Sequence, residues 1–179
     1  MKSFVFASIC VLALAGIVFA LDADIEKHAS CTYCGMNRAT YAQSRMLVEY
    51  DDGTSFGACS LHCTAVDLAN NIDRTPKAIR VAEYNSKKLI DAEGAFWVVG
   101  GKTPGVMTAH AKWAFGEKRA AVSFINDNGG VLVSFDDAIK AAYLDMYEDT
   151  KQIRERRRMK RSQMPKGKSA HATVYQAAT

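Results

Sequence analysis

The chain has 179 residues, 49% of them hydrophobic and 23% charged, which excludes a disordered or collagen-like protein and suits one domain or two small modules. Its net charge of +4 conceals a division, because residues 151–168 hold nine basic side chains against one acid, an excess of +8, whereas residues 21–150 hold thirteen basic against eighteen acidic, a balance of −5. The body is mildly acidic and the tail strongly basic, so the overall charge does not argue for nucleic acid as a partner.

Met1-Lys2-Ser3 followed by the apolar run Phe4 to Leu21 has the charged-then-apolar order of a secretory signal, with Val18-Phe19-Ala20 as the cleavage site. Residues 1–20 are read as that signal, and the protein as periplasmic or otherwise exported. A retained signal would leave it membrane-associated, since Ser3 to Leu21 is 19 residues and barely long enough to cross a bilayer core of roughly 30 Å. Residues 21–30 are polar and read as a leader that carries Cys31 outward from the core.

Met46, Val48 and Tyr50 then alternate with Leu47 and Glu49, Asp51-Asp52-Gly53 turns the chain, and Thr54 to Phe56 returns, the pattern of a β-hairpin. Ser60 is positioned as the N-cap of a helix through Leu61, Ala65, Val66 and Leu68, stopped by Asn70-Asn71. Ile79 to Tyr84 is a third strand. The order repeats: Ala95 to Val99 is a strand, residues 108–115 a weaker one, Glu117 to Asn126 has helical spacing, and Val131-Leu132-Val133 is a strand after Asn128-Gly129-Gly130. Ser134 with Asp137 forms a capping box for a last helix, with Phe135, Ile139, Tyr143 and Met146 on one face, that runs into the basic tail. The expected class is α+β: two small packed ββαβ-like modules, about 31–85 and 86–145 within a body of 31–150, suggesting internal duplication, plus a C-terminal helix. Residues 151–179 are expected to be a basic, partly disordered tail able to touch an anionic membrane surface or an acidic partner.

Four cysteines follow the signal, as Cys31-x2-Cys34 and, 24 residues later, Cys59-x3-Cys63. Such pairs serve as disulfides, zinc ligands, redox couples or soft-metal ligands. Pairs this close make poor disulfides, because they close short loops that restrain the unfolded chain little. Cross-pairing between the two pairs stays open. A thiol-disulfide oxidoreductase would place a helix after its first pair to stabilise the thiolate, and here Gly35-Met36 and a hairpin follow. For metal, the hairpin can carry Cys34 over the helix start that holds Cys59 and Cys63, where the helix dipole favours thiolates. His62 is a further potential ligand, although a histidine beside a helix start is more commonly exposed. Thiolates alone suit zinc, Cu(I) and iron–sulfur clusters; a thioether beside one in Cys34-Gly35-Met36 tilts the donor set toward Cu(I).

Cys34-Gly35-Met36, then Asp52-Gly53 and Cys59-Ser60-Leu61-His62-Cys63, resembles the metal-binding modules called TRASH and YHS. Over a longer span, Cys31 to Met36, the block Lys88 to Gly100 (KLIDAEGAFWVVG), Gly105-Val106-Met107 and Gly129-Gly130-Val131 resemble the nitrous oxide reductase accessory family, NosL. The second resemblance implies an exported, non-enzymatic Cu(I)-binding metallochaperone with nitrous oxide reductase or its assembly machinery as a client. It implies metal ligands at Cys34, Met36 and Met107, to which Cys31, Cys59, Cys63, His62 and His110 are added as candidates from the residues themselves. Three departures stand out: Cys10 makes a poor lipid-attachment site, the Cys59/Cys63 pair is not usual in that family, and the basic tail extends beyond the shared region. The principal alternative is a structural Zn(II) module of TRASH type built on Cys31, Cys34, Cys59 and Cys63, a closed site with no copper traffic; a thiol-disulfide oxidoreductase is the other.

Overall fold

The computed structural model describes residues 23–163, so the signal reading and the end of the basic tail lie outside the described residues. The fold is α+β, with two small antiparallel sheets and a C-terminal helix. In the first sheet β1 (Met46–Tyr50) lies between β2 (Ser55–Ala58) and β3 (Pro76–Ala82), and β4 (Leu89–Asp91) extends the other edge of β3. Helix α2 (Leu61–Asn70) joins β2 to β3; it is preceded in the chain by the five-residue α1 (Ala23–Lys27). In the second sheet β5 (Phe96–Val99) lies between β6 (Lys112–Phe115) and β7 (Val131–Val133), with α3 (Lys118–Asn128) joining β6 to β7. The two sheets share one plan: a hairpin whose first strand is central, a helix, and a returning strand on the central strand's other side.

The alternation in β1 does what the sequence implies, since Met46, Val48 and Tyr50 are buried while Leu47 and Glu49 are half-buried. Register follows from it, with Val48 opposite Phe56 on one side and Ile79 on the other. The sheets meet where Glu83 bridges Ala114 and the Tyr84 N–H donates to the Ala114 carbonyl at 2.8 Å. The Tyr84 ring lies 5.0 Å from Trp113 and 4.9 Å from Phe124, both edge-on, the arrangement that aromatic quadrupoles favour. Trp97 is fully buried and donates from Nε1 to the Ala92 carbonyl at 2.8 Å.

Two features depart from the sequence reading. Strand β4 is absent from the sequence reading; at three residues it is too short to show alternation. The polar leader does not carry Cys31 outward, because Cys31 is 1% exposed. Instead Asp24 is buried between two arginines, 2.7 Å from Arg38 and 3.0 Å from Arg45. Arg38 itself is wholly buried and donates to four carbonyls, of Asp24, His28, Met46 and Ala58. This network ties α1 to the β1–β2 hairpin, and Gly57 leaves room for it: a Cβ there would lie 2.5 Å from His28 Cβ and 2.9 Å from Arg38.

Helix α4 (Phe135–Gln163) opens on the expected box, with the Asp137 N–H donating to Ser134 Oγ at 3.2 Å and that hydroxyl donating to Asp137 Oδ2 at 2.9 Å. On the expected face Phe135 is buried and Ile139 and Met146 pack half-buried against the core, with Ala138 and Ala142 buried beside them, while Tyr143 is 43% exposed. Two compact units divide at Met146/Tyr147. The first contains both sheets. The second, among described residues, is the distal part of α4, helical to Gln163, so the basic segment 151–163 is ordered helix. No helix among the described residues is long and apolar enough to cross a membrane.

Candidate metal centre

Cys31 and Cys34 lie on a tight knuckle. Ser30 bridges Asn37 at its base, the Cys31 N–H donates to the Met36 carbonyl at 2.9 Å, and the Gly35 N–H to the Cys31 carbonyl at 2.8 Å. Gly35 adopts φ +74, a left-handed conformation that glycine takes without steric cost. Cys59 follows β2, and Ser44 Oγ donates to its carbonyl at 2.7 Å. Ser60 occupies the expected N-cap position of α2 but makes no side-chain cap; its hydroxyl lies 3.8 Å from the Cys59 sulfur. Cys63 sits in the first turn of α2.

These segments bring the sulfurs of Cys31, Cys34, Cys59 and Cys63 within 4.8 Å of one another. Cys34 lies 3.4 Å from Cys59, and Cys59 lies 3.7 Å from Cys63. Four thiolates about 2.3 Å from a central ion stand about 3.8 Å apart at tetrahedral corners. The donor set therefore fits one soft ion with sulfur shifts of no more than about 1 Å. No disulfide links the cysteines. Three are buried and Cys34 is half-buried, which makes Cys34 the sulfur nearest solvent.

Electrostatics couple the four. Hydrogen bonds from Cys34, then Cys59 and Cys63, hold the Cys31 thiol far below the ordinary range. Cys34 feels Cys31 pushing it up, but Cys59 and Cys63 together pull it down further. The same contacts, with Cys31 foremost, push Cys59 and Cys63 well up. The four thiols therefore titrate together, each ionisation making the next one harder, and a cation is what would allow all four to ionise.

A second tier supports this cage. The Tyr33 hydroxyl, inside the Cys31–Cys34 knuckle, donates to Asp67 Oδ1 at 3.2 Å, and its ring tilts against Phe56 at 5.3 Å. Asp67 is 4% exposed and also receives the Tyr50 hydroxyl and, at 3.2 Å, the Asn71 amide. The sequence reading missed this group, although Asp67 is an acid four residues after Cys63 and therefore on its helix face.

The remaining candidates are placed differently. His62 is buried at 5% rather than exposed, because Leu61 to Ala65 are buried on every side of the helix; it is not part of the four-sulfur group. Met36 and Met107 are half-buried against the core. Met107 has φ +61, one of two non-glycine residues with positive φ among those described. His110 is exposed, with Nδ1 3.0 Å from Asp145 Oδ1; Asp145 also receives the buried Lys112 ammonium at 2.7 Å.

The family model for NosL matches residues 22–144 of this chain. A solved structure, the crystal structure of the copper chaperone NosL from Shewanella denitrificans, is similar at a TM-score of 0.48 and 24% identity, covering 60% of this chain and 87% of that one. No curated protein matches the chain.

Proposed function

The chain belongs to the NosL family, and from that premise we propose that it is an exported Cu(I) carrier that surrenders its ion to a copper-accepting client, nitrous oxide reductase or its assembly machinery. The observation that carries this reading is the four-sulfur cage, all within 4.8 Å and fed by one half-exposed cysteine. Cu(I) is a soft ion that takes thiolates and thioethers at low coordination number. Two or three sulfurs satisfy it, so a cage of four can hold the ion while one donor lets go. Cys34, with Met36 two residues on, is the side from which an incoming client thiol, thioether or imidazole displaces a ligand.

Met107 and His110 extend the reading. A left-handed backbone at a methionine costs of order 1–3 kcal/mol and persists where surrounding structure demands it. Asp145 against His110 Nδ1 leaves Nε2 facing outward, the orientation metal-ligating histidines adopt when a carboxylate fixes the tautomer. We assign these two residues to ion entry or exit, not to the cage.

A second reading is favoured by one specific feature. Four thiolates in tetrahedral array form a closed Zn(II) site with no open position, which would make the knuckle and α2 a structural module. Anaerobic purification with metal analysis, then Cu(I) chelator competition on wild type, Met36→Ala and Met107→Ala, separates the two. The carrier reading expects bound Cu(I), affinity lost by about 10–100-fold in Met36→Ala, and slower ion transfer at unchanged affinity in Met107→Ala, with Zn(II) binding unchanged in both. An unchanged Cu(I) affinity in Met36→Ala, or a zinc ion that Cu(I) does not displace, returns the protein to the structural module.

A further inference from the structure

We infer that the distal part of α4 docks this protein on an anionic phospholipid surface. Lys151, Arg154, Arg157, Arg158 and Arg161 are all exposed. At 100° per residue they occupy one sector of about 120°, spaced over roughly 15 Å of helix axis. Between residues 151 and 163 the only acid is Glu155, so this face carries like charges at i,i+3 and i,i+4 spacing, which destabilise a helix in water. A dense layer of negative charge relieves that repulsion. Tyr147, 73% exposed, lies on the same sector one turn before Lys151; tyrosine is the residue that settles at a membrane–water boundary.

Four of the five cations are arginines, whose planar fork binds phosphate and carboxylate oxygens alike in pairs, so it is the shape of the face that selects a lipid surface over an acidic polypeptide. The cations form a straight row on a convex helix, suited to a flat field of phosphates and offering no alternating apolar pockets for peptide side chains. The body, at −5, is repelled by the same surface. The helix is therefore the attachment point.

The test uses the full chain and vesicles of phosphatidylcholine with or without 30% phosphatidylglycerol. The comparison is Arg154→Gln/Arg158→Gln/Arg161→Gln against a body control with the same charge loss, Lys77→Gln/Lys88→Gln/Lys118→Gln, whose lysines are also exposed. Each basic residue near an anionic surface contributes about fivefold in partitioning, so the helix variant should lose on the order of 100-fold. The control should not lose affinity, and wild-type binding should fall steeply as salt is raised from 50 to 500 mM. Equal partitioning onto neutral and anionic vesicles, or equal losses in the two variants, overturns the inference. So does failure to bind vesicles by a chain that binds polyglutamate through the same arginines, which would make the partner an acidic protein.

Discussion

The Tyr33 hydroxyl donates to Asp67 Oδ1 at 3.2 Å across 34 residues of sequence, joining the knuckle that carries Cys31 and Cys34 to the helix that carries Cys63. The four sulfurs come from two separate segments, and the Tyr33 hydroxyl, which also accepts from the Asn70 amide at 3.4 Å, is the side-chain link between the knuckle and α2 apart from the sulfurs themselves. It sets how far apart the two halves of the cage stand before any ion arrives.

Tyr33→Phe removes the hydroxyl and keeps the ring against Phe56. Metal affinity should fall roughly tenfold, the lower end of what outer-shell losses cost, while stability without metal falls by about 1 kcal/mol or less. Chelator competition beside urea unfolding measures both. An unchanged affinity with lost stability would make Tyr33 a packing residue only.

Asp24→Asn removes the counter-charge of two buried guanidiniums. Breaking a buried ion pair from one side costs about 3–5 kcal/mol, and at about 2–4 °C per kcal/mol for a chain of this size the melting temperature should drop by about 10 °C. Burial already pulls the Arg38 guanidinium down, opposed by Asp24, so the loss falls on a charge with no other carboxylate partner identified. Thermal melts of the metal-free protein are the check; a shift under 2 °C would mean that α1 contributes little to the fold.

The proton balance of the cage predicts its pH dependence. Cys31 and Cys34 push the Cys59 and Cys63 thiols up, and an ion binding to all four sulfurs must expel the protons that this coupling retains. Raising the pH therefore strengthens binding, and lowering it weakens binding. Calorimetry in buffers of different ionisation enthalpy should report more than one proton released per ion. Release of none would show that the helix pair does not ligate.

How much of this was legible in the sequence follows from the range of the interactions involved. Met46, Val48 and Tyr50 reveal β1 because period-two burial is local, and Ser134 with Asp137 reveals the start of α4 for the same reason. The cysteine spacing shows that two pairs exist and that the hairpin can bring them together. It does not show Tyr33 bonded to Asp67, nor Asp24 held by Arg38 and Arg45, because nothing near any of these residues marks its distant partner. Strand β4 owes its existence to the exposed edge of β3 rather than to its own three residues. His62 reads as a surface residue next to a helix start, and only the burial of the whole first turn of α2 makes it otherwise.

The last prediction concerns what metal does to the fold. In small zinc modules the ion is the core, and removing it unfolds the chain. Here the cage is built on a sheet whose own core includes Met46, Val48, Ala58 and Val81, each 2% exposed or less. Hydrogen bonds of the Ser44, Cys31 and Gly35 groups also hold the cage segments in place. The sulfurs need no large movement to receive an ion, so metal should stabilise by mass action alone: about 4 kcal/mol at a free concentration a thousand times the Kd. That is about 8–16 °C in melting temperature, with far-UV circular dichroism unchanged between the reduced metal-free and loaded forms. Loss of helical signal on chelation would mean that the ion builds the site, and would favour the structural zinc reading over a carrier that must survive giving its cargo away.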